Sequence, residues 1–123
     1  MNCPFCSEID ERIIASNDFA QVIFDGFPVT KYHSLIIPKR HVADYFDLSN
    51  EELSAIHDLL CHHKRYLVSQ DSSITGFNVG VNIGIDAGQT VFHCHVHLVP
   101  RRNADVEDPR GGVRGVIPSK QRY

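Results

Sequence analysis

An α+β fold is predicted for this chain: a sheet of about five mostly antiparallel strands, with one long and one short helix packed on one face. Three stretches predict it. Residues 75–84 alternate without a break. Thr75, Phe77, Val79, Val81 and Ile83 fall on one side, and Gly76, Asn78, Gly80, Asn82 and Gly84 on the other, which is strand periodicity. Residues 92–98 alternate as well, setting His93, His95 and His97 against Phe92, Cys94, Val96 and Leu98. Between the strand regions, Leu53, Ile56, Leu60 and Leu67 recur at helical spacing.

The elements follow in order. Cys3-Pro4-Phe5-Cys6 opens the chain, and Ser7 can cap a short helix with Asp10 at its third position. Ser16-Asn17-Asp18 reads as a turn. Residues 20–24 form a short strand that ends at Asp25-Gly26-Phe27-Pro28. Residues 33–37 form the next, closed by Pro38, and the two pair antiparallel across the 28–31 loop. The long helix starts at Ser49, where Ser49 and Glu52 fit a capping box with Leu48 and Leu53 as its hydrophobic staple. It is expected to run to about residue 68 or 69. The apolar side of the 75–84 strand is expected to pack on it, while the glycine-rich side leaves room against the backbone. The six residues 85–90 suit an antiparallel connection to the histidine strand better than a parallel crossover. The chain is expected to form one domain over 1–123, with 103–123 an extended arm that orders only by docking.

Composition narrows the function classes. Twelve basic against fifteen acidic residues give a formal charge of −3, so nothing draws the chain generally toward nucleic acid or acidic lipid. An anionic ligand must be held by a local site. No stretch approaches the roughly 18 apolar residues of a membrane span. The start of the chain has no basic-then-apolar pattern of a secretory leader. A reduced, cytoplasmic protein is expected, in which Cys3 and Cys6 point to metal or redox chemistry rather than to a disulfide.

Imidazole can serve as metal ligand, acid or base, or nucleophile. Three on one strand face could hold zinc with an open position for water, or attack phosphorus while neutral. Gly88-Gln89-Thr90, immediately before them, favours the second. A glycine turn followed by an amide and a hydroxyl offers donors to phosphate oxygens.

Gly88-Gln89-Thr90-Val91-Phe92-His93-Cys94-His95-Val96-His97-Leu98-Val99 resembles the signature of the histidine triad superfamily, three histidines each followed by apolar residues and preceded by Gly-Gln-Ser/Thr. His33-Ser34-Leu35-Ile36-Ile37-Pro38-Lys39-Arg40-His41 and the Asn78 to Gly84 stretch are similar to two further segments of that family. The resemblance covers about residues 3–102. It implies an enzyme that binds nucleoside phosphates and cleaves at the α-phosphorus, with no catalytic cofactor. His95 would be the nucleophile, forming a nucleotidyl-histidine that water hydrolyses, with its other ring nitrogen on a carbonyl of the neighbouring strand. His97 would contact the phosphate or leaving group, and His93 and His33 would form a supporting pair. Gly88, Gln89, Thr90 and Asn82 would meet the phosphate, and Asp25 the ribose. The base would lie near Phe5, Ile9, Phe24 and Phe27.

The resemblance implies further features. The tail from Pro100 to Pro118 resembles that of bacterial dinucleoside polyphosphate hydrolases more than the short-tailed phosphoramidase branch. An AMP phosphoramidase, or a catalytically weak nucleotide-binding module, is the alternative. Arg102, Arg110 and Arg114 could meet distal phosphates. Gly26 stands where many members carry an apolar base-lining residue. Members with an N-terminal C-x-x-C bind structural zinc at positions matching Cys3, Cys6, His41 and His93. The family is usually homodimeric.

Overall fold

A computed structural model of the protein describes residues 3–7 and 10–123, the side chains of Ser7 and Asp10 excepted. Five strands form one wholly antiparallel sheet: β1 (Ile13–Ser16), β2 (Ala20–Phe24), β3 (Ser34–Pro38), β4 (Ile74–Val81) and β5 (Val96–Arg102), in the spatial order β1-β2-β3-β5-β4. Two α-helices accompany it, α1 (Pro4–Ser7) and α2 (Asn50–Gln70). The predicted fold class holds.

The capping box forms as read. Ser49 Oγ accepts from Glu52 N–H at 3.1 Å, and a Glu52 oxygen accepts from Ser49 N–H at 2.9 Å. Arg40 forks onto the same carboxylate at 2.8 and 3.0 Å. Ala55, Ile56, Leu59 and Leu67 of α2 are buried with Val22, Ile36, Val96 and Leu98. Each of the buried Val, Ile and Leu side chains contributes about 1.5–3 kcal/mol through removal from water.

Several details differ from the reading. Ile13 and Ile14, in the stretch that Ser7 could cap as a short helix, open β1 instead, because Ile13, Ala15 and Ser16 find partners on β2. Ser7 closes α1 instead, and the following Glu8 and Ile9 lie outside the described residues. The helices occupy opposite faces: Cys3 and Phe5 pack with Ile23, Leu35 and Ile37, on the side facing away from α2. Helix α2 packs chiefly over β1, β2 and β3, and Ile74, Phe77 and Val81 of β4 meet the same core cluster. Strand β4 is an edge, and Val79 is 49% exposed on it.

A further difference concerns the histidines. Strand β5 begins at Val96, so only His97 lies in it. Val96 is the last partner of both Ile36 on β3 and Val81 on β4. Residues 91–95 have no ladder on either side and instead follow the 39–43 segment, where Cys94 N–H bonds Val42 O at 2.7 Å. Cys94 keeps its place in the core, but Phe92 is 45% exposed. The 103–123 segment is not extended. Gly111 and Gly112 take positive φ, two 3-10 turns follow at Gly112–Val116 and Pro118–Lys120, and the first of them lies against β4.

Candidate functional site

Strand β3, the loop before it and β5 bring His33 and His97 together, with Nε2 of His33 2.9 Å from Nδ1 of His97. The hydrogen bonds decide the tautomers. Val29 N–H points at His33 Nδ1 at 3.1 Å, so that nitrogen accepts. The proton of neutral His33 is therefore on Nε2 and is donated to His97 Nδ1. His97 must then carry its own proton on Nε2. Burial holds His33 below its ordinary value. Burial, with His95 and His33 adding to it, pushes His97 down to about 4. His97 is thus a neutral donor at neutral pH.

His95 follows a similar logic. Its Nδ1 lies 2.8 Å from the carbonyl of His93. A carbonyl only accepts, so Nδ1 bears a proton, and in the neutral ring the lone pair is on Nε2. The carbonyl belongs to its own segment, two residues back, rather than to a neighbouring strand as the resemblance implies. The ring of Phe5 meets His95 edge-on at 5.1 Å, and the ring of His97 is 5.2 Å away.

His93 does not pair with His33. It is fully buried, its Nε2–H donates to Pro38 O at 2.7 Å, and its Nδ1 faces Cys3 Sγ at 3.5 Å and Cys6 Sγ at 3.4 Å. His41 Nδ1 lies 3.2 Å from Cys6 Sγ. The donor atoms of Cys3, Cys6, His41 and His93 all fall within 4.8 Å of one another. Two thiols and two imidazoles, one with its far nitrogen fixed on a carbonyl, suit a closed tetrahedral zinc site. Burial and the neighbouring Cys3 raise the Cys6 thiol, which a bound cation would reverse.

The remaining predicted residues divide. Asp25 stands at the site: one oxygen accepts from Phe27 N–H at 2.9 Å, and the other is 3.4 Å from His33 Nε2. Gly88 takes the left-handed φ of 92° that its turn requires. Thr90 is exposed behind it, and Asn82 is half-buried just past β4. Gln89 faces inward. It is buried, accepts from Gly84 N–H at 2.9 Å and donates to Ala43 O and Val91 O. It braces the loop, contrary to the expectation that it meets phosphate, because three backbone groups need those partners.

Phe24 lies on the α2 side with Tyr32 and His63, so it does not line the site. Ile23 and Leu35 pack, buried, with Phe5 on the other side of the sheet. Alternation along β2 puts neighbours on opposite faces, which is the signal that distinguishes Ile23 from Phe24. Phe27 is 92% exposed, and Ile9 lies outside the described residues. Arg102 is held by Asp71 at 3.0 Å and by Lys31 O, and Arg114 by the carbonyls of Lys120 and Gln121. Neither is placed for distal phosphates. Arg110 is exposed.

Comparison with known proteins agrees with this geometry. The family model described as HIT domain matches residues 6–104. An uncharacterised HIT-like protein of Mycoplasma pneumoniae is 36% identical over 81% of this chain and 72% of its own length. A bis(5'-nucleosyl)-tetraphosphatase (asymmetrical) of Schizosaccharomyces pombe is 37% identical over 66% of this chain, though over only 44% of its own length. Among solved structures, a zinc-bound histidine triad family protein of Mycobacterium smegmatis superposes with TM-score 0.78 at 33% identity, covering 88% of this chain and 81% of that one. With its fold, its three histidines and these relatives, the chain belongs to the HIT family.

Proposed function

We propose that the protein is a nucleotide hydrolase or transferase that cleaves dinucleoside polyphosphates or adenylated compounds at the α-phosphorus. The observation that carries this reading is the orientation of His95: its Nδ1–H is tied to the His93 carbonyl, and its Nε2 lone pair is free beside neutral His97. His95 Nε2 attacks the α-phosphorus and displaces the distal phosphate chain as an anion. Water then breaks the phosphorus–nitrogen bond, releasing the nucleotide and restoring His95. One hard displacement becomes two easier ones. His97 Nε2–H donates to the phosphoryl oxygen that gains charge, and His33 holds His97 in that tautomer.

Asp25 takes the ribose hydroxyls, and Gly88, Thr90 and Asn82 meet the phosphate oxygens. The nucleobase lies near Phe5, whose ring is edge-on to His95. Zinc bound by Cys3, Cys6, His41 and His93 supplies a closed structural tie and no hydroxide. We read the chain as one domain, acting in the cytoplasm as a homodimer without nucleic-acid or membrane partners. The open β4 edge with exposed Val79 supports the dimer, and no helix among the described residues is long and apolar enough to cross a membrane.

The test is turnover of diadenosine tetraphosphate by wild type and His95→Ala. The variant is expected to be inactive, and acid-free mass spectrometry of wild type to trap a nucleotidyl adduct. Equal turnover by the two proteins overturns the reading.

A further inference from the structure

A cavity of about 740 Å³ lies between the C-terminal segment and the β4–β5 end of the sheet, within the usual range for small-molecule sites. It shares a face with the catalytic histidines. His97 and Val99 are two residues apart on β5, hence on one side and about 7 Å apart. Their β4 partners are Gly80 and Asn78. The cavity therefore opens one residue pair beyond His97, away from the Phe5–Ile23–Leu35 cluster.

Its lining is mixed: five valines stand among Thr30, Asn78, Gln121 and charged side chains. Val99 forms the floor, and Val29, Val113 and Val116 stand around it, 71%, 62% and 77% exposed. Gly112 lets the segment pass closely over the sheet, since a Cβ there would stand 3.4 Å from Asn78 Nδ2. The cations at the rim are already matched. Arg101 forks onto Asp105 at 2.8 Å and donates to Asn78 Oδ1 at 2.7 Å, and Arg122 pairs with Asp108 at 3.2 Å. Glu107 adds a further carboxylate to the lining. Such a cavity repels the end of a polyphosphate chain and suits an uncharged, largely apolar body.

We infer that this cavity is a second subsite, which takes the distal nucleoside of a dinucleoside polyphosphate once the first nucleoside is bound beside Phe5. The inference rests on the reading of the protein as a nucleotide hydrolase and deepens it. The phosphate chain crosses His95 and His97, and its far end carries a neutral aromatic group onto Val99, Val113 and Val116. Substrates without that group leave the cavity empty.

The experiment compares diadenosine tetraphosphate with adenosine 5'-tetraphosphate, which has the same phosphate chain and no second nucleoside. Wild type is expected to favour the dinucleotide in kcat/KM by about tenfold or more, the equivalent of roughly 1.4 kcal/mol. In Val113→Asp and Val116→Asp, the ratio taken on one preparation should fall toward one. A ratio near one in wild type, or a ratio unmoved by both substitutions, overturns the subsite. Calorimetry on His95→Ala with the same two compounds separates this from the chemistry. Tighter binding of the dinucleotide, abolished by Val116→Asp in that background, supports the cavity even if neither compound is hydrolysed. Failure of turnover alone counts against the hydrolase reading only.

Discussion

At the scale of single residues, the site is decided by which ring nitrogen carries a proton. Val29 N–H and the His33 ring set the tautomer of His97, and the His93 carbonyl sets that of His95. His33→Ala is expected to lower kcat by roughly tenfold or more, with little change in KM, because His97 loses the donor that orients it. The check is kcat and KM together with the nitrogen shifts of the His97 ring; an unchanged kcat would count against the relay. Buried histidines also set the acid limit of stability. His63 lies against Ser34 and Phe24, and burial pushes it down to about 4, as it does His97. Both bind protons more readily unfolded than folded. Their contribution is complete above about pH 6.5 and is lost as pH falls from there toward 4, at roughly 1.4 kcal/mol per pH unit for each group. Urea unfolding at pH 7, 5.5 and 4.5 reads this slope, and flat stability across that range would refute it.

Among the elements, α2 owes its start to one residue in three interactions. Glu52 closes the capping box and accepts both arms of Arg40, which hold its carboxyl down at about 2. Ser49→Ala should cost about 1 kcal/mol, and Glu52→Ala roughly 2 kcal/mol, because a nearly buried charged partner is lost as well. Chemical denaturation measures both. The Glu52 contribution is present above about pH 4.5 and disappears as pH falls through 2. The N-terminal arm depends on its donor set instead of on length, since α1 has only four residues. Cys3→Ser, or a strong chelator, is expected to remove one metal equivalent per chain, lower Tm and free Phe5 from His95. Elemental analysis and thermal unfolding test this, and metal-free wild type with unchanged Tm would exclude a structural role for the ion.

For the whole molecule, the sheet presents two different faces. α2 covers one, while the other carries the N-terminal arm at β2–β3, the histidines in the middle and the C-terminal segment over β4–β5. Strand β4 is an open edge of the sheet, as β1 is at the other side, and there the sheet can continue into a second copy. Wild type is expected to sediment at twice 13.9 kDa, and Val79→Lys, which puts a charge on that exposed edge, as a monomer. A monomeric wild type would remove the dimer from the proposal.

Much of this was legible in order along the chain. The capping box at Ser49 and Glu52, the β2–β3 pair and the histidine motif are local patterns, and local sterics and periodicity suffice to specify them. Strand β1 was not legible, since Ile13 and Ile14 become strand only by pairing with β2. The inward turn of Gln89 was hidden because, besides its neighbours Gly84 and Val91, it bonds the carbonyl of Ala43, which only the fold brings near. The separation of the histidines was hidden too. Spacing makes His93, His95 and His97 equivalent, but both neighbouring ladders end at Val96. That break sends His93 to the cysteines and leaves His95 tied to its own segment, with only His97 on the strand beside His33. The histidines and cysteines stood out as candidate groups from the chain alone, because side-chain type and local period are properties of the chain. Tertiary structure alone decided which nitrogen of each imidazole is free, because that depends on donors and acceptors brought from elsewhere in the fold.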